Sequence, residues 1–489
     1  MFYFCTFHIL LKLQIFYDMK NLQLSKKNLK GYVCSAFVIL SFLNGKSQIS
    51  VDAYLTGKPT LSIKGNATTD KISFPADLEF NPIKKTELWV LNNSTSNTGS
   101  DVVIFNNTGT ATQTSKLKKD YNARHFMCNA NGLAFGNNGN FATTSNRLDD
   151  NHDGSTFTGP SLWSSDPTIF GVTPTGSQNG THLDMIHHNP FSSGIAFDPK
   201  PVMLLPSGTP SGNAYWVFDG YNGNIALNDF NVPHCIGCSD HNDGQIYVYK
   251  EVVVKKDGNI ASHMILDRNT GMMYICEPAN SRVLWMNTKI GTKGAAMSVN
   301  EGYKRWAMTG ASSGVYINTG LVKPSGIDID YVNKRLIVSD YSNGDIIIYN
   351  IAGTTPVEMG RIKTGTPGIM GLTIAPDGKI WYVNFTANTV VRVDPDVTSG
   401  IDDQFANSIV STYPNPVSNE LTVVTSFANS NMTDVKILIH DPVGRMVNEF
   451  KIEDSVSSLD VSTLTNGVYF YTIMKSNVVI NNGKFVVSK

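Results

Sequence analysis

Short stretches of alternating apolar and polar residues, separated by turn-forming residues, dominate the chain after residue 50. No long apolar pattern with the helical period of about 3.6 residues accompanies them. The clearest example has apolar stretches at 371–375, 379–384 and 389–393, divided by turns at 376–378 and 387–388. Such stretches, bounded by Pro, Asp, Asn and Gly, are typical of β-strands joined by tight turns. The pattern therefore predicts an all-β fold.

A short apolar motif that predicts a strand, and that often begins with Gly, occurs six times. The copies start at Asp77, Gly132, Gly194, His263, Gly326 and Gly371. The shortest spacing between them suits one four-stranded sheet, and the longer spacings imply inserted loops. A sheet of this size cannot bury both faces alone, whereas radial packing of sheets buries them and leaves few exposed edges. We therefore predict a six-bladed β-propeller over residues 49–396, with 289–316 as the place where a further blade would fit.

The amino-acid sequence of the repeat resembles that of the NHL family of propellers. An apolar-Gly-Ile-Ala strand, an Asp-Gly turn and Tyr-Val-x-Asp-x-x-Asn-x-Arg-Val form the pattern of that family. Residues 273–283 and the last blade match it best. The resemblance covers about residues 76–396 and implies a propeller, whereas a fold by itself specifies no function.

The composition changes after Asp394, and residues 397–408 are predicted to be a linker. Residues 409–489 then read as a small β-sandwich. Three motifs stand in it: Tyr-Pro-Asn-Pro at 413–416, Asp-x-x-Gly-Arg at 441–445 and Leu-x-x-Gly-Val-Tyr at 464–469.

With the terminal Lys489, these motifs closely resemble the type A sorting domain of type IX secretion. The resemblance implies a partner, the type IX secretion machinery, which carries such proteins across the outer membrane. It also implies that the sorting domain is usually removed, and that the rest is released or attached to surface polysaccharide. We expect a secreted, extracellular or outer-surface protein.

The N-terminus has the layout of a signal peptide. Four lysines follow Met19, then the apolar run 32–43, then small or polar residues at 45–48. The apolar run is too short for a spanning helix, so we expect no transmembrane span in the mature chain. We interpret residues 1–48 as an upstream extension and signal peptide starting at Met19, the alternative for 1–18 being a genuine extra hydrophobic segment.

The charge balance excludes two classes of partner. Lys and Arg total 39 and Asp and Glu total 40, which gives a formal net charge of -1. Nucleic-acid binding needs a basic stripe, and docking on anionic lipid needs a basic cluster. We therefore expect no nucleic-acid partner, and an unknown small-molecule, peptide or glycan ligand.

Histidine is concentrated in one third of the chain. Neutral imidazole is the commonest metal ligand, and three histidines with an open position are a catalytic-zinc layout. His182, His241 and His263 are therefore a candidate site for zinc or another divalent metal. A non-catalytic binding propeller and a metal-dependent lyase or hydrolase with a His-lined axial site both remain open.

Cysteine leaves a similar choice. Cys235 and Cys238 stand between His234 and His241, so they form a local disulfide, bind metal or stay as thiols. With Cys128 and Cys276 they are the four cysteines after the predicted signal, and an exported chain meets an oxidising environment in which disulfides form. Four cysteines permit three pairings, among which the sequence does not choose.

The phrase Ser262-His263-Met264-Ile265 resembles a blade of peptidyl-hydroxyglycine amidating lyase. That enzyme is a six-bladed propeller whose zinc is held by three axial histidines. The resemblance matches His263 to one zinc ligand. At the corresponding positions of other blades this chain has Ser193 or Gly194, and Gly371. One of the three ligands therefore carries over.

Residues 149–154 match the opening of a calcium loop, with Asp149, Asn151 and Asp153 as oxygen ligands before a Gly. Pro160 stands where an EF-hand places its bidentate Glu, which excludes an EF-hand. A looser calcium loop and an Asn/Asp-rich surface turn remain open.

Overall fold

The computed structural model describes residues 49–96, 98–122, 126–149, 155–172, 179–201, 211–396, 409–426, 435–475 and 478–489. These residues form 33 strands in eight sheets. Helical structure in the same residues is limited to the turns Val51–Tyr54, Ala67–Asp70 and Pro278–Asn280. The predicted signal peptide and linker, residues 1–48 and 397–408, lie outside the described residues.

Six sheets form the part of the chain that precedes residue 397. Their strands are given in the order of hydrogen-bonded neighbours. Sheets 1 and 2 are β2 (Pro75–Phe80), β3 (Leu88–Asn92), β4 (Asp101–Asn106) and β5 (Thr114–Lys118), and β6 (Leu133–Phe135), β7 (Asn140–Thr143), β8 (Ser161–Ser164) and β9 (His182–Met185).

Sheets 3 and 4 are β10 (Ile195–Phe197), β11 (Ala214–Asp219), β12 (Asn224–Asp229), β13 (Gln245–Tyr249), β18 (Lys304–Thr309) and β17 (Thr292–Ala296), and β14 (Met264–Asp267), β15 (Met272–Glu277), β16 (Arg282–Asn287) and β19 (Ser313–Ile317). Sheets 5 and 6 are β20 (Pro324–Asp330), β21 (Arg335–Asp340), β22 (Asp345–Asn350) and β23 (Val357–Lys363), and β24 (Ile369–Ile374), β25 (Ile380–Asn384), β26 (Thr389–Asp394) and β1 (Thr60–Asn66).

Each sheet packs against the next through its own apolar core, and sheet 6 packs against sheet 1. Strand β11 shows how the sequence supports this arrangement, because all six of its residues are buried. Successive side chains of a strand point to opposite faces. Tyr215 and Val217 accordingly pack toward sheet 2, and Trp216 and Phe218 pack toward sheet 4. The result is a propeller-like arrangement in an almost entirely β chain.

The N-terminal segment is bound to the end of this region. Strand β1 pairs antiparallel with β26 and so supplies the outer strand of sheet 6. The Tyr54 hydroxyl donates to the carbonyl of Val393 at 2.8 Å and accepts from the backbone N–H of Ile380 at 3.0 Å. Sheet 6 is therefore assembled from both ends of the sheet-forming region.

Residues 289–316 were the place where a further blade would fit. Instead, β17 and β18 extend sheet 3, where β18 pairs parallel with β13, and β19 completes sheet 4. The six sheets are therefore all that the described residues form before residue 397. Three predicted strands at 371–375, 379–384 and 389–393 are confirmed as β24, β25 and β26.

The C-terminal region forms two further sheets around one apolar core. One sheet is β27 (Ile409–Tyr413), β28 (Glu420–Ser426) and β31 (Val456–Asp460); the other is β30 (Met446–Ile452), β29 (Val435–His440), β32 (Gly467–Lys475) and β33 (Val478–Val487). Two sheets that share a core make a small β-sandwich, as the sequence predicts.

Candidate functional site

The first strands of the six sheets line a narrow central cavity of about 90 Å³. Its ionisable lining comes from Asp77, Glu79, His263, Arg268 and Asp328. Within the described residues, ionisable side chains of sheets 1, 4 and 5 therefore line this cavity together.

The carboxylates of this central cavity are engaged by backbone N–H groups of the neighbouring sheet. Asp77 Oδ2 accepts from Leu133 at 2.8 Å, and Glu79 Oε2 accepts from Phe135 at 2.8 Å, which joins sheet 1 to sheet 2. In the same way, Asp328 of sheet 5 accepts from a backbone N–H of β24 at 2.7 Å. These carboxylates therefore hold neighbouring first strands together.

Burial weakens the acidity of these groups. It raises the pKa of Glu79 to about 8, although the hydrogen bond from Phe135 opposes the shift. It raises the pKa of Asp328 to about 6, and it raises the pKa of Asp77 as well. A cavity this small admits few waters to solvate a carboxylate, which is why the charged forms are disfavoured.

His263 lies at the central cavity, but its ring is engaged with protein groups. Nε2 lies 2.8 Å from the carbonyl oxygen of Asn131, and Nδ1 lies 3.4 Å from Asp77 Oδ1. A carbonyl only accepts, so Nε2 carries the proton of that hydrogen bond. His263 is the member of the predicted histidine set that faces this cavity.

A second polar cluster lies between sheets 2 and 3. A bulge interrupts the alternation along β9, because His182 pairs with Trp163 and Asp184 pairs with Leu162. These two residues of β8 face opposite sides of sheet 2. The connection between β12 and β13, residues 230–244, crosses this strand. Its His234 N–H donates to the carbonyl of Leu183 at 3.1 Å, and its Gly237 N–H donates to that of His182 at 2.8 Å. The same connection carries His241.

The cysteine alternatives are resolved within this connection. Cys235 and Cys238 form a disulfide, and Cys128 and Cys276 are buried thiols. The disulfide closes a turn of the chain between His234 and His241. His234 directly precedes this closed turn, and His241 follows it by three residues.

We call Asp184, His234 and His241 the histidine site. One potential ligand atom of each lies within 4.8 Å of those of the other two, and among the described residues this is the group of His, Cys, Asp and Glu side chains that is compatible with a metal ion. The closest pair is His241 Nδ1 and Asp184 Oδ1, at 2.8 Å. The rings of His182 and His187 lie 5.6 and 5.7 Å from the His241 ring, measured between centroids.

Burial tunes the charges of this cluster. It lowers the pKa of His182 to about 4, so this ring is neutral at pH 7. It raises the pKa of Asp184 to about 6, against the hydrogen bond and charge of His241. Burial also acts to lower the pKa of His234, but the Asp184 carboxylate and other acceptors outweigh it, and the net shift is upward.

The predicted metal set is thus brought together only in part. His182 and His241 are neighbours, whereas His263 belongs to the central cavity and lies outside the histidine site. Asp184 and His234 take its place in the metal-compatible group. No local pattern in the sequence points to Asp184, because the bulge in β9 breaks the alternation that would otherwise relate it to His182.

The calcium hypothesis stays a prediction. Asp149 accepts a hydrogen bond from the Ser155 hydroxyl. Asn151 and Asp153 lie outside the described residues.

A larger groove of about 360 Å³ lies at the edge between sheets 4 and 5. Tyr274 and Tyr316 form its aromatic part, with ring centroids 4.8 Å apart. Asp267, Thr270 and Lys334 add polar and charged groups to the lining.

Comparison with known families decides the role of the C-terminal sandwich. Residues 411–488 match the secretion system C-terminal sorting domain. The protein is therefore secreted or located at the outer cell surface, and its sorting domain implies interaction with the type IX secretion machinery. No helix of the described residues has the length and apolar character that crossing a membrane requires.

No curated protein matches the chain in sequence. Among solved structures, it is similar to PorZ of Porphyromonas gingivalis, described as an essential surface component of the type IX secretion system, with 12% identity, a TM-score of 0.36 and coverage of 88% of this chain and 60% of PorZ. It is similar to an auxiliary nutrient binding protein of Bacteroides ovatus, with 9% identity, a TM-score of 0.43 and coverage of 70% and 78%. It is also similar to the periplasmic gluconolactonase of Pseudomonas aeruginosa, with 9% identity, a TM-score of 0.37 and coverage of 85% and 89%. These likenesses carry no argument about function.

Proposed function

We propose that this protein is an NHL-like, six-bladed β-propeller that is exported with a signal peptide by type IX secretion and acts outside the cell as a binding module for a small polar ligand. The six sheets are the blades, and the pairing of β1 with β26 supports closure of the ring. The groove at Tyr274 and Tyr316 is the observation that carries the binding role.

The volume and the lining of the groove support this role. Its volume of about 360 Å³ falls in the range of ligand pockets, which combine an apolar or aromatic lining with a few polar groups. The partly buried Tyr316 supplies aromatic contact area above the buried Tyr274, and Lys334 supplies a positive charge. The central cavity, by contrast, is small, and its carboxylates hold β-strands, which supports a structural role for it.

Export is tested by deleting residues 411–488 in the native host. The full chain should reach the medium or the surface, where added protease degrades it, and the deletion variant should stay protected within the cell envelope. His440→Ala, which leaves the three motifs intact, is the matched control. Surface delivery of the deletion variant would contradict the export mechanism.

Binding is tested with the purified protein on arrays of oligosaccharides and short peptides. Tyr316→Ala should abolish capture of any array ligand that wild type holds, and Tyr221→Ala, at a tyrosine that is 56% exposed elsewhere, should retain it. Capture that Tyr316→Ala leaves unchanged would contradict the groove as the binding site. Release of a cleaved product would favour the enzyme alternative.

A further inference from the structure

We infer that the histidine site, Asp184, His234 and His241, binds one divalent transition-metal ion of the zinc class. This site lies away from both the central cavity and the tyrosine groove, and the inference does not depend on the proposed function.

The donor set fits such an ion. Two imidazole nitrogens and one carboxylate oxygen are ligands that zinc and its first-row neighbours accept. Ligand atoms about 2.1 Å from a tetrahedral zinc ion lie about 3.4 Å from one another. The three candidate atoms already lie within 4.8 Å, so a small inward movement of the connection 230–244 would complete the site.

An independent observation at Asp184 supports a cation at this place. This residue is 1% exposed, and its Oδ2 has no hydrogen-bond partner among the described residues. A buried carboxylate oxygen without a partner is costly, and such atoms in native proteins call for a bound water or ion. A metal ion beside His234 and His241 would compensate for this oxygen directly.

His182 borders the site but is not one of its ligands. Its Nδ1 lies 2.7 Å from the carbonyl of Asn179, so Nδ1 carries the proton. The backbone of Cys238 is a second acceptor for this ring and, like that of Asn179, acts to raise its pKa. The ligand set is therefore Asp184, His234 and His241.

His234 explains how metal binding couples to protons. Its two ring nitrogens contact the carbonyl of Asp240 and, at 2.9 Å, the carboxylate of Asp243. A bound metal replaces one of these contacts and displaces the proton that makes it. The remaining contact then orients the ring.

The inference is tested on the purified full chain after treatment with chelator. Titration calorimetry with ZnCl₂ should give one equivalent bound, and CoCl₂ should give visible absorption bands of a site with nitrogen and oxygen ligands. His234→Ala, His241→Ala and Asp184→Asn should each weaken zinc binding by at least about 10-fold, as expected when a ligand is lost.

Two histidine variants provide matched controls. His188→Ala removes a half-buried neighbour whose ring packs on Tyr303, and His263→Ala removes the histidine of the central cavity. Both should keep wild-type affinity. His234 is only partly buried on a loop, so its alanine variant tests the ligand role even if His241→Ala does not fold.

Three results would overturn the inference: no zinc bound by the folded wild type, unchanged affinity in the folded His234→Ala variant, or loss of binding in His263→Ala with retention in His234→Ala. The last result would move the metal to the central cavity.

Discussion

The central cavity and the histidine site both bury carboxylates, but they use them differently. Asp77 in the cavity accepts backbone N–H groups through both oxygens, from Leu78 at 2.9 Å and from Leu133 at 2.8 Å. Asp184 in the histidine site uses Oδ1 for Met185 and His241 and leaves Oδ2 without a hydrogen-bond partner among the described residues.

We interpret this difference as one between a structural carboxylate and a proposed metal ligand. A buried carboxylate whose oxygens are all used contributes to the cohesion of the sheets. One that retains an unused oxygen beside imidazoles has a coordination position left for a cation. The following predictions test that distinction, from the largest expected effect to the smallest.

Asp77→Ala should cost the most stability. The change leaves the buried N–H groups of Leu78 and Leu133 without their acceptor and removes one of the hydrogen bonds that join sheet 1 to sheet 2. We expect the free energy of unfolding to fall by about 3 kcal/mol, measured by urea denaturation. Asp77→Asn keeps an oxygen acceptor and should lose about 1 kcal/mol. Equal losses in both variants would contradict the hydrogen-bonding role.

Replacing Cys235 and Cys238 together by Ser should act mainly on the histidine site. The bridge spans a sequence separation of 3, so its chain-entropy contribution to stability is about 2 kcal/mol at most. Zinc affinity should fall as well, because the connection that carries His234 and His241 loses its covalent closure. Thermal melts with and without ZnCl₂ separate the two effects. A variant with unchanged zinc affinity would show that the loop needs no disulfide to place its ligands.

Glu79→Gln should flatten the pH dependence of stability. The pKa of Glu79 rises from its ordinary 4.5 to about 8 in the folded chain, where Asp77 and Asp328 also disfavour its charge and Arg268 favours it. The folded state therefore holds the proton more tightly, and stability is lost as the pH rises from about 4.5 to 8.

The variant should melt roughly 2 to 4 °C higher than wild type at pH 8, with little difference at pH 4.5. Scanning calorimetry at both pH values provides the measurement. If the stability of the two proteins changed with pH in the same way, Glu79 would not have a raised pKa in the folded chain.

Glu301→Gln should have the smallest effect. Glu301 Oε2 lies 2.6 Å from His187 Nδ1 at the border of the cluster, and the carboxylate side chain is 23% exposed. Burial lowers the pKa of His187, so near pH 7 its neutral ring donates to the Glu301 carboxylate. Glutamine retains an acceptor for this hydrogen bond, and we expect a loss of up to about 1 kcal/mol. Urea denaturation near pH 7 should show a loss in that range. A loss as large as that of Asp77→Ala would place Glu301 among the structural carboxylates.

The sequence predicts an almost entirely β, propeller-like fold because its strand signals are local. Most strands and turns of one sheet lie within a few dozen residues, and strands such as β24 to β26 follow directly from apolar alternation. Pairing of β1 with β26 has no such signal, because nothing local to residues 60–66 indicates which distant strand they join.

The histidine site is only partly visible in the sequence for the same reason. His182 and His241 stand out as histidines, whereas Asp184 reads as one polar residue within a buried strand. Its partnership with His234 depends on the connection 230–244 lying across β9. That placement comes from backbone hydrogen bonds between segments distant in sequence, and the types of the residues involved do not predict such bonds.

The pairing of β1 with β26 in sheet 6 affects the rate of folding. Ser62 and Asp394, which bond across β1 and β26, are 332 positions apart in the chain. Contacts of such high sequence separation slow folding, because a long stretch of chain must lose its freedom before they form. Sheet 6 therefore stays incomplete until β26, near the end of the sheet-forming region, is available to pair with β1.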